Sequence, residues 1–261
     1  MSQDEIRNQL KDLLKEYYRL QQQQNKFVPG ESKVQYSGAV FDEAEVTAIM
    51  ESVLDGWFGV GRHTQRMESA LADYLEMDYA VLTNSGSSAN LLVFAALCFL
   101  GRPECLRPGD EVIVPATTFS TVFNPIIQHQ LVPVVVDVDV ETLNINPDAL
   151  ERAVSDKTRE IVVLHNLGNP CPMGRIMELA EKHHLIVIED NCDALGAEYE
   201  GKKTGSFGKF STFSFYPAHH ITMGEGGAVC TRDEELVFLL RSLRDWGRAC
   251  SCPVCSIALN P

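Results

Sequence analysis

Five short runs in this 261-residue chain are apolar and largely β-branched from end to end: YAVLT at 79–83, EVIVP at 111–115, VPVVVDV at 132–138, EIVVLHN at 160–166 and LIVIED at 185–190. None shows the alternation of a strand with one wet face, so each reads as a strand covered on both sides, the habit of a parallel sheet. Between them lie stretches of helical pattern at 87–100, 120–130, 147–154 and 173–184. Strand and helix alternating at this rhythm predict an α/β fold, a mostly parallel sheet with helices on both faces. Ligands of such sheets bind beyond the carboxyl ends of the strands, so chemistry is sought just after each run.

Ahead of the sheet, residues 4–24 read as a polar amphipathic helix. Asp42 can cap a helix through about Leu54, with Ala44, Val46, Ile49, Met50 and Val53 roughly on one face. A further helix at about Thr64–Leu75 carries Met67, Ala70, Leu71 and Tyr74 at helical spacing. The net charge of −14 argues against an extended nucleic-acid footprint, though a local nest of N–H groups can still hold a small anion. No apolar run approaches the ~20 residues that span a bilayer, and the first residues lack a signal peptide's apolar core, so the expected compartment is the cytoplasm. Cys98, Cys105, Cys171 and Cys230 are scattered and read as structural, whereas Cys250, Cys252 and Cys255 are clustered.

After the first strand run comes Asn84-Ser85-Gly86-Ser87-Ser88-Ala89-Asn90, opening a helix. Small residues let backbone N–H groups approach a ligand, and a helix N-terminus favours an anion such as phosphate; an ordinary capped turn reads the same way. Phe119, after the second run, could stack on a planar ring or simply be core. Asp190 ends the fifth run, where a carboxylate is costly unless paired. A protonated pyridine nitrogen would suit it, and an N-cap or surface pair is the alternative. Then follows Phe213-Ser214-Phe215-Tyr216-Pro217-Ala218-His219-His220 and a glycine-rich turn, not a natural core pattern; of two adjacent histidines, at most one need be catalytic. No G-x-G-x-x-G follows the first strand, which leaves dinucleotide binding remote.

Taken in order, TNSGSSAN, GDEVIVPATTF, PVVVDVD, HNLGNP, IEDNCDALGAEYEGKKTGSFG and FSFYPAHHITMGEGGAV resemble the DegT/DnrJ/StrS family of vitamin B6-dependent sugar aminotransferases, from about Tyr36 to Arg248. The resemblance implies the large domain of a fold-type-I aminotransferase at 36–249, after an N-terminal helical segment at 1–35. It implies pyridoxal or pyridoxamine 5′-phosphate as cofactor, with Asp190 on the pyridine nitrogen, Phe119 on the ring, and Ser85, Gly86, Ser87 and Ser214 around the phosphate. Family aminotransferases carry the Schiff-base lysine two residues after the proline of the SFYP-like segment. Here that position is His219, which cannot form the imine but can move protons near neutral pH. Lys202, Lys203 and Lys209 lie in a polar turn and read as solvated.

A lysine-to-histidine change with the rest of the site kept resembles the 3-dehydrases of deoxysugar biosynthesis, enzymes of bacterial surface polysaccharides such as O-antigen. It implies His219 as the base, with Tyr216 and Asp193 assisting, and a nucleotide-linked 4-keto-6-deoxyhexose as substrate. The CDP-linked dehydrases also hold a [2Fe–2S] cluster fed by a separate reductase. Their first three cluster cysteines fall on Cys192, Cys250 and Cys252, while the fourth place falls on Asn260, with Cys255 the nearby substitute. A zinc knuckle or a chance cluster is the other reading of RACSCPVC. From 250 to 261 the likeness stops, where family members continue into a small domain that helps form a homodimer. The expectation is therefore a truncated chain, which could also be an inactive fragment; an ordinary sugar aminotransferase is the alternative that His219 disfavours.

Overall fold

The computed structural model describes residues 1–24, 27–34, 38–102 and 104–248. Cys250, Cys252, Cys255 and Asn260 lie outside the described residues. The chain runs α1 (Gln3–Gln24), α2 (Glu43–Leu54), α3 (Arg62–Leu75), β1 (Tyr79–Thr83), α4 (Gly86–Leu97), β2 (Glu111–Pro115), α5 (Ser120–Gln128), β3 (Val132–Val136), α6 (Pro147–Ala153) and β4 (Thr158–Leu164). It continues through α7 (Met173–His183), β5 (Ile186–Asp190), a small hairpin of β6 (Glu198–Tyr199) and β7 (Lys202–Lys203), β8 (Phe210–Ser214), β9 (Gly227–Thr231) and α8 (Glu234–Arg244).

Seven strands form one sheet in the order β1-β9-β8-β5-β4-β2-β3. Pairings from β8 through β3 are parallel, and β9 alone runs against both of its neighbours. Side chains alternate across the sheet, so Val112, Val114, Val162 and Ile188 pack with α4, α5 and α8 on one face. Ile113, Ile161, Val163 and Val187 pack with α6 and α7 on the other, where α3 also lies through Leu71, Ala72 and Leu75. The same alternation sends neighbouring Glu189 and Asp190 to opposite faces, with Asp190 on the side of α4. The fold-type-I large-domain architecture is thus present, a mixed, mostly parallel sheet with helices on both faces.

Several local expectations need correction. β8, β9 and α8 carry no counterpart among the strand and helix runs singled out from the sequence. The buried face of α3 is Glu68, Leu71, Ala72 and Leu75, while Ala70 and Tyr74 face outward. The apolar face of α2 is not covered: that helix buries no residue, and Ile49 and Val53 are more than half exposed. β3 forms the sheet edge, which exposes Val132 and Val135. Asp42 does cap α2 as a capping box, its carboxylate accepting from Ala44 N–H while Glu45 accepts from Asp42 N–H. Among the described residues no helix is long and apolar enough to cross a membrane.

Candidate active site

A cavity of about 340 Å³ opens at the carboxyl ends of the parallel strands, within the size range of small-molecule sites. Its wall brings together most of the residues singled out from the sequence: Gly86, Ser87, Phe119, Asp190, Cys192, Asp193, Ser214, Tyr216 and His219. Ser85 is absent from the wall. Its side chain instead caps α4, accepting from Ser88 N–H at 3.1 Å. That capping satisfies one of the first N–H groups of the helix and leaves those of Gly86 and Ser87 at the helix end, beside the cavity.

The glycines here are dictated by close approach. A Cβ on Gly86 would come within 2.7 Å of Ser214 Cβ and 3.2 Å of Cys192 Sγ. A Cβ on Gly227, at the start of β9, would lie 2.3 Å from Ser85 C and O and 2.6 Å from Gly86 N. The first turn of α4 therefore lies flat on β9 and against Ser214. Such a notch of small residues and spare N–H groups has the donor chemistry to receive a phosphate.

Asp190 sits at the cavity floor, 7% exposed. Its Oδ2 accepts from Asn90 Nδ2 at 3.1 Å and its Oδ1 from Cys192 N–H at 3.2 Å, and no cation of the described chain pairs with it. A buried carboxylate with lone pairs to spare and no cationic partner suits a protonated ring nitrogen. Phe119, two-thirds exposed at the N-terminus of α5, offers a bare aromatic face on the same cavity. These residues fit pyridoxal or pyridoxamine phosphate at its phosphate, its ring face and its ring nitrogen.

His219 lies across from them on the turn after β8, its Nδ1 3.2 Å from Asp193 Oδ1. Tyr216, half exposed, lines the cavity nearby. Among the described residues no lysine lines this cavity. Lys202 lies over the Phe207 ring, Lys203 over the Tyr74 ring, and Lys209 bonds Asp233 at 2.6 Å.

Sequence reasoning overlooked a second layer beneath the cavity. His165, fully buried, accepts from Cys171 N–H at Nδ1 (2.9 Å), which leaves Nε2–H to donate to Glu189 Oε2 at 3.1 Å. Glu189 also accepts from the N–H groups of Gly205, Phe207 and Gly208, each at 2.7 Å, and so ties the loop after β7 to the end of β4. Its position beside Asp190 in a buried strand was the available signal. Thr121, Leu164, Asn166 and the buried His165 also line the wall without having been singled out.

Cys192 meets the metal expectation poorly on its own. Burial, then the negative Asp190 that also hydrogen-bonds it, then Asp193, push its thiol well above the usual range. Among the described residues no three His, Cys, Asp or Glu side chains gather as a metal site. The described residues therefore do not by themselves build a cluster. Burial likewise raises the thiols of Cys98 and Cys171 to about 12, in keeping with structural roles.

A doubly covered sheet with a notch of small residues, an exposed aromatic and a buried aspartate at its strand ends has the architecture of the fold-type-I aminotransferase large domain. The profile of the DegT/DnrJ/EryC1/StrS aminotransferase family matches residues 40–252, and the chain belongs to that family. It is 47% identical over 241 residues to a dTDP-4-dehydro-2,6-dideoxy-D-glucose 3-dehydratase of Saccharopolyspora spinosa, covering 92% of this chain and 52% of that one. It is 45% identical to the lipopolysaccharide biosynthesis protein RfbH of Salmonella typhimurium, over 97% of this chain and 58% of that protein. A solved structure of GDP-4-keto-6-deoxymannose-3-dehydratase with a trapped PLP-glutamate geminal diamine superposes with a TM-score of 0.80 at 37% identity, covering 82% of this chain and 55% of that one. The chain thus spans little more than half the length of these relatives.

Proposed function

We propose that this chain carries the cofactor-binding half of a pyridoxamine-phosphate-dependent 3-dehydrase acting on a nucleotide-linked 4-keto-6-deoxyhexose. The observation that carries the reading is His219: a proton-moving side chain paired with Asp193 faces the cofactor cavity, and among the described residues no lysine does. When bound, pyridoxamine phosphate supplies an amine that condenses with the sugar ketone and a ring that accepts electron density. The N–H groups of Gly86 and Ser87, with Ser214, hold its phosphate; Phe119 covers one ring face; Asp190 pairs with the ring nitrogen. Asp193 turns His219 by its Nδ1, leaving Nε2 to take a proton at the cavity, and later to return one. Tyr216 assists from the cavity rim, where its hydroxyl can support departure of the C3 hydroxyl.

CDP is the nucleotide the cysteine pattern favours, and an iron–sulfur cluster with a separate electron-donating reductase completes the proposed reaction. Cys192 borders the cavity, so analysis of iron and sulfide in the purified chain, repeated on Cys192→Ser, tests whether it joins Cys250, Cys252 and Cys255. A homodimer of the longer protein belongs to the same proposal.

The central test needs no reductase. The chain is incubated with pyridoxamine phosphate and CDP-4-keto-6-deoxyglucose in oxygen-18 water, and the recovered sugar is weighed by mass spectrometry. Label at C3 above the ketone exchange seen without protein is the expected result. Amino transfer to the sugar without C3 label would replace the reading with an aminotransferase. In parallel, His219→Lys with pyridoxal phosphate should yield a borohydride-fixed adduct mapped to position 219, which the parent lacks.

A further inference from the structure

We infer that Asn90 and Thr212 form a positioning pair that aims Asp190 at the ring nitrogen of the cofactor, an inference that rests on the reading of Asp190 given above. The three side chains form one buried line across three elements. Thr212 Oγ1, on β8, donates to Asn90 Oδ1 at 2.8 Å, and Asn90 Nδ2, on α4, donates to Asp190 Oδ2 at 3.1 Å on β5. All three are at most 7% exposed.

The order of the line fixes its direction. The threonine hydroxyl can donate to the amide oxygen only if that oxygen faces β8, which turns the amide NH₂ toward Asp190. β5 and β8 are paired with Asp190 directly opposite Thr212, so the two ends of the line are locked in register by the sheet itself. The second oxygen of Asp190 is held by Cys192 N–H at 3.2 Å. With Asn90 Nδ2 on one oxygen and the Cys192 N–H on the other, the carboxylate is held against rotation at the cavity that it lines.

Asn90 also stands four residues after Gly86 on α4, and such residues share a helix face. One rigid turn of helix therefore carries both the N–H groups assigned to the phosphate and the amide that orients the partner of the ring nitrogen. The distance between the cofactor's two anchoring points is set by α4 rather than by a loop. An apolar side chain at 90 would leave Asp190 Oδ2 without its protein donor, in a place where water has little access.

The test is selective for that role. The 261-residue chain and its variants are titrated with pyridoxamine phosphate and with the analogue in which C–H replaces the ring nitrogen, by fluorescence or equilibrium dialysis. The parent should prefer the nitrogen-containing ligand by roughly tenfold or more, the range for a hydrogen bond to a charged group. Asn90→Ala and Thr212→Val should lose most of that preference while binding the analogue as the parent does, and Thr212→Ser, which keeps the hydroxyl, should retain it. Either valine or alanine variant reads the same line, so one that fails to melt cooperatively is replaced by the other. A folded Asn90→Ala or Thr212→Val that keeps the parent's preference, or that weakens both ligands equally, overturns the positioning role. A parent without preference, or Asp190→Asn with the parent's preference, overturns the assignment of Asp190 and this inference with it.

Discussion

Gly227→Ala adds one methyl group, and the structure says where it goes. The new Cβ would stand 2.3 Å from Ser85 C and O and 2.6 Å from Gly86 N, all backbone atoms, whereas ordinary contact begins at 3.4 Å. No side chain can swing aside. Because Gly227 is fixed on both sides, opposite Thr83 of β1 and Ser214 of β8, the Ser85–Gly86 peptide must retreat by about 1 Å to restore contact. Overpacking of this kind costs ~1–3 kcal/mol of stability. The retreat also displaces the two N–H groups assigned to phosphate, and a misplacement of ~1 Å at a binding or reacting group is enough to cost up to ~100-fold. The assay is a pair of titrations, pyridoxamine phosphate against pyridoxamine, on protein shown to be folded by thermal melting. Affinity for the phosphorylated ligand should drop by roughly tenfold or more, with the weak affinity for pyridoxamine unchanged. A folded Gly227→Ala that binds pyridoxamine phosphate within about twofold of the parent would refute the claim that α4 on β9 sets the phosphate site.

Two further predictions concern buried carboxyl groups. Glu160 is fully buried on the face of α4 and α5 with no hydrogen-bond partner for either oxygen among the described residues, and burial holds its carboxyl well above the usual value of 4.5. Its folded-state value is raised, so stability is fullest below pH 4.5 and drains as pH rises, while the unfolded chain ionises freely. Glu160→Leu should therefore raise the melting temperature, by ~1–3 kcal/mol equivalent at pH 8 and less at pH 5; an equal gain at both pH values would disprove the linkage. Glu189→Gln should destabilise by ~3 kcal/mol in denaturant titration. Either orientation of the new amide sets its NH₂ against two donors, Phe207 and Gly208 on one side or Gly205 and His165 on the other. A midpoint equal to the parent's would show that the loop after β7 does not depend on Glu189.

The parts of the fold legible in sequence are those whose signal is local. β1 and β2 coincide with YAVLT and EVIVP because unbroken apolar, β-branched runs have few other places to go. β8 escaped because FSTFS carries Ser211 and Thr212 at fully buried positions, where composition suggests surface. α8 had a readable start in Asp233, which caps Leu236 N–H, with Leu236, Val237 and Leu240 at helical spacing behind it. At the site, residues that touch the cavity could be named because each follows a strand. What could not be read was division of labour. Ser85 and Ser87 look alike in the sequence, yet one hydroxyl is consumed by the helix cap while the other residue lines the cavity. The partners of Asp190 and Glu189 were hidden because they are brought together by the sheet from as much as 100 residues away.

Those hidden partners bear on how the proposed site can stand with histidine rather than lysine at position 219. Position 219 sits on the turn between β8 and β9, and its side chain is tied to Asp193 and to no member of the layer beneath. The groups that would grip phosphate and ring are fixed independently of it: α4 by its cap and by Gly227, Asp190 by Asn90 and Cys192, the loop after β7 by Glu189. A covalent anchor at 219 would therefore add affinity to a site already assembled, and removing it frees the position for proton transfer. On this argument His219→Asn should leave the affinity for pyridoxamine phosphate within a few-fold of the parent while abolishing C3 label. A large loss of affinity in that variant would mean that His219 helps to build the site as well as to work in it.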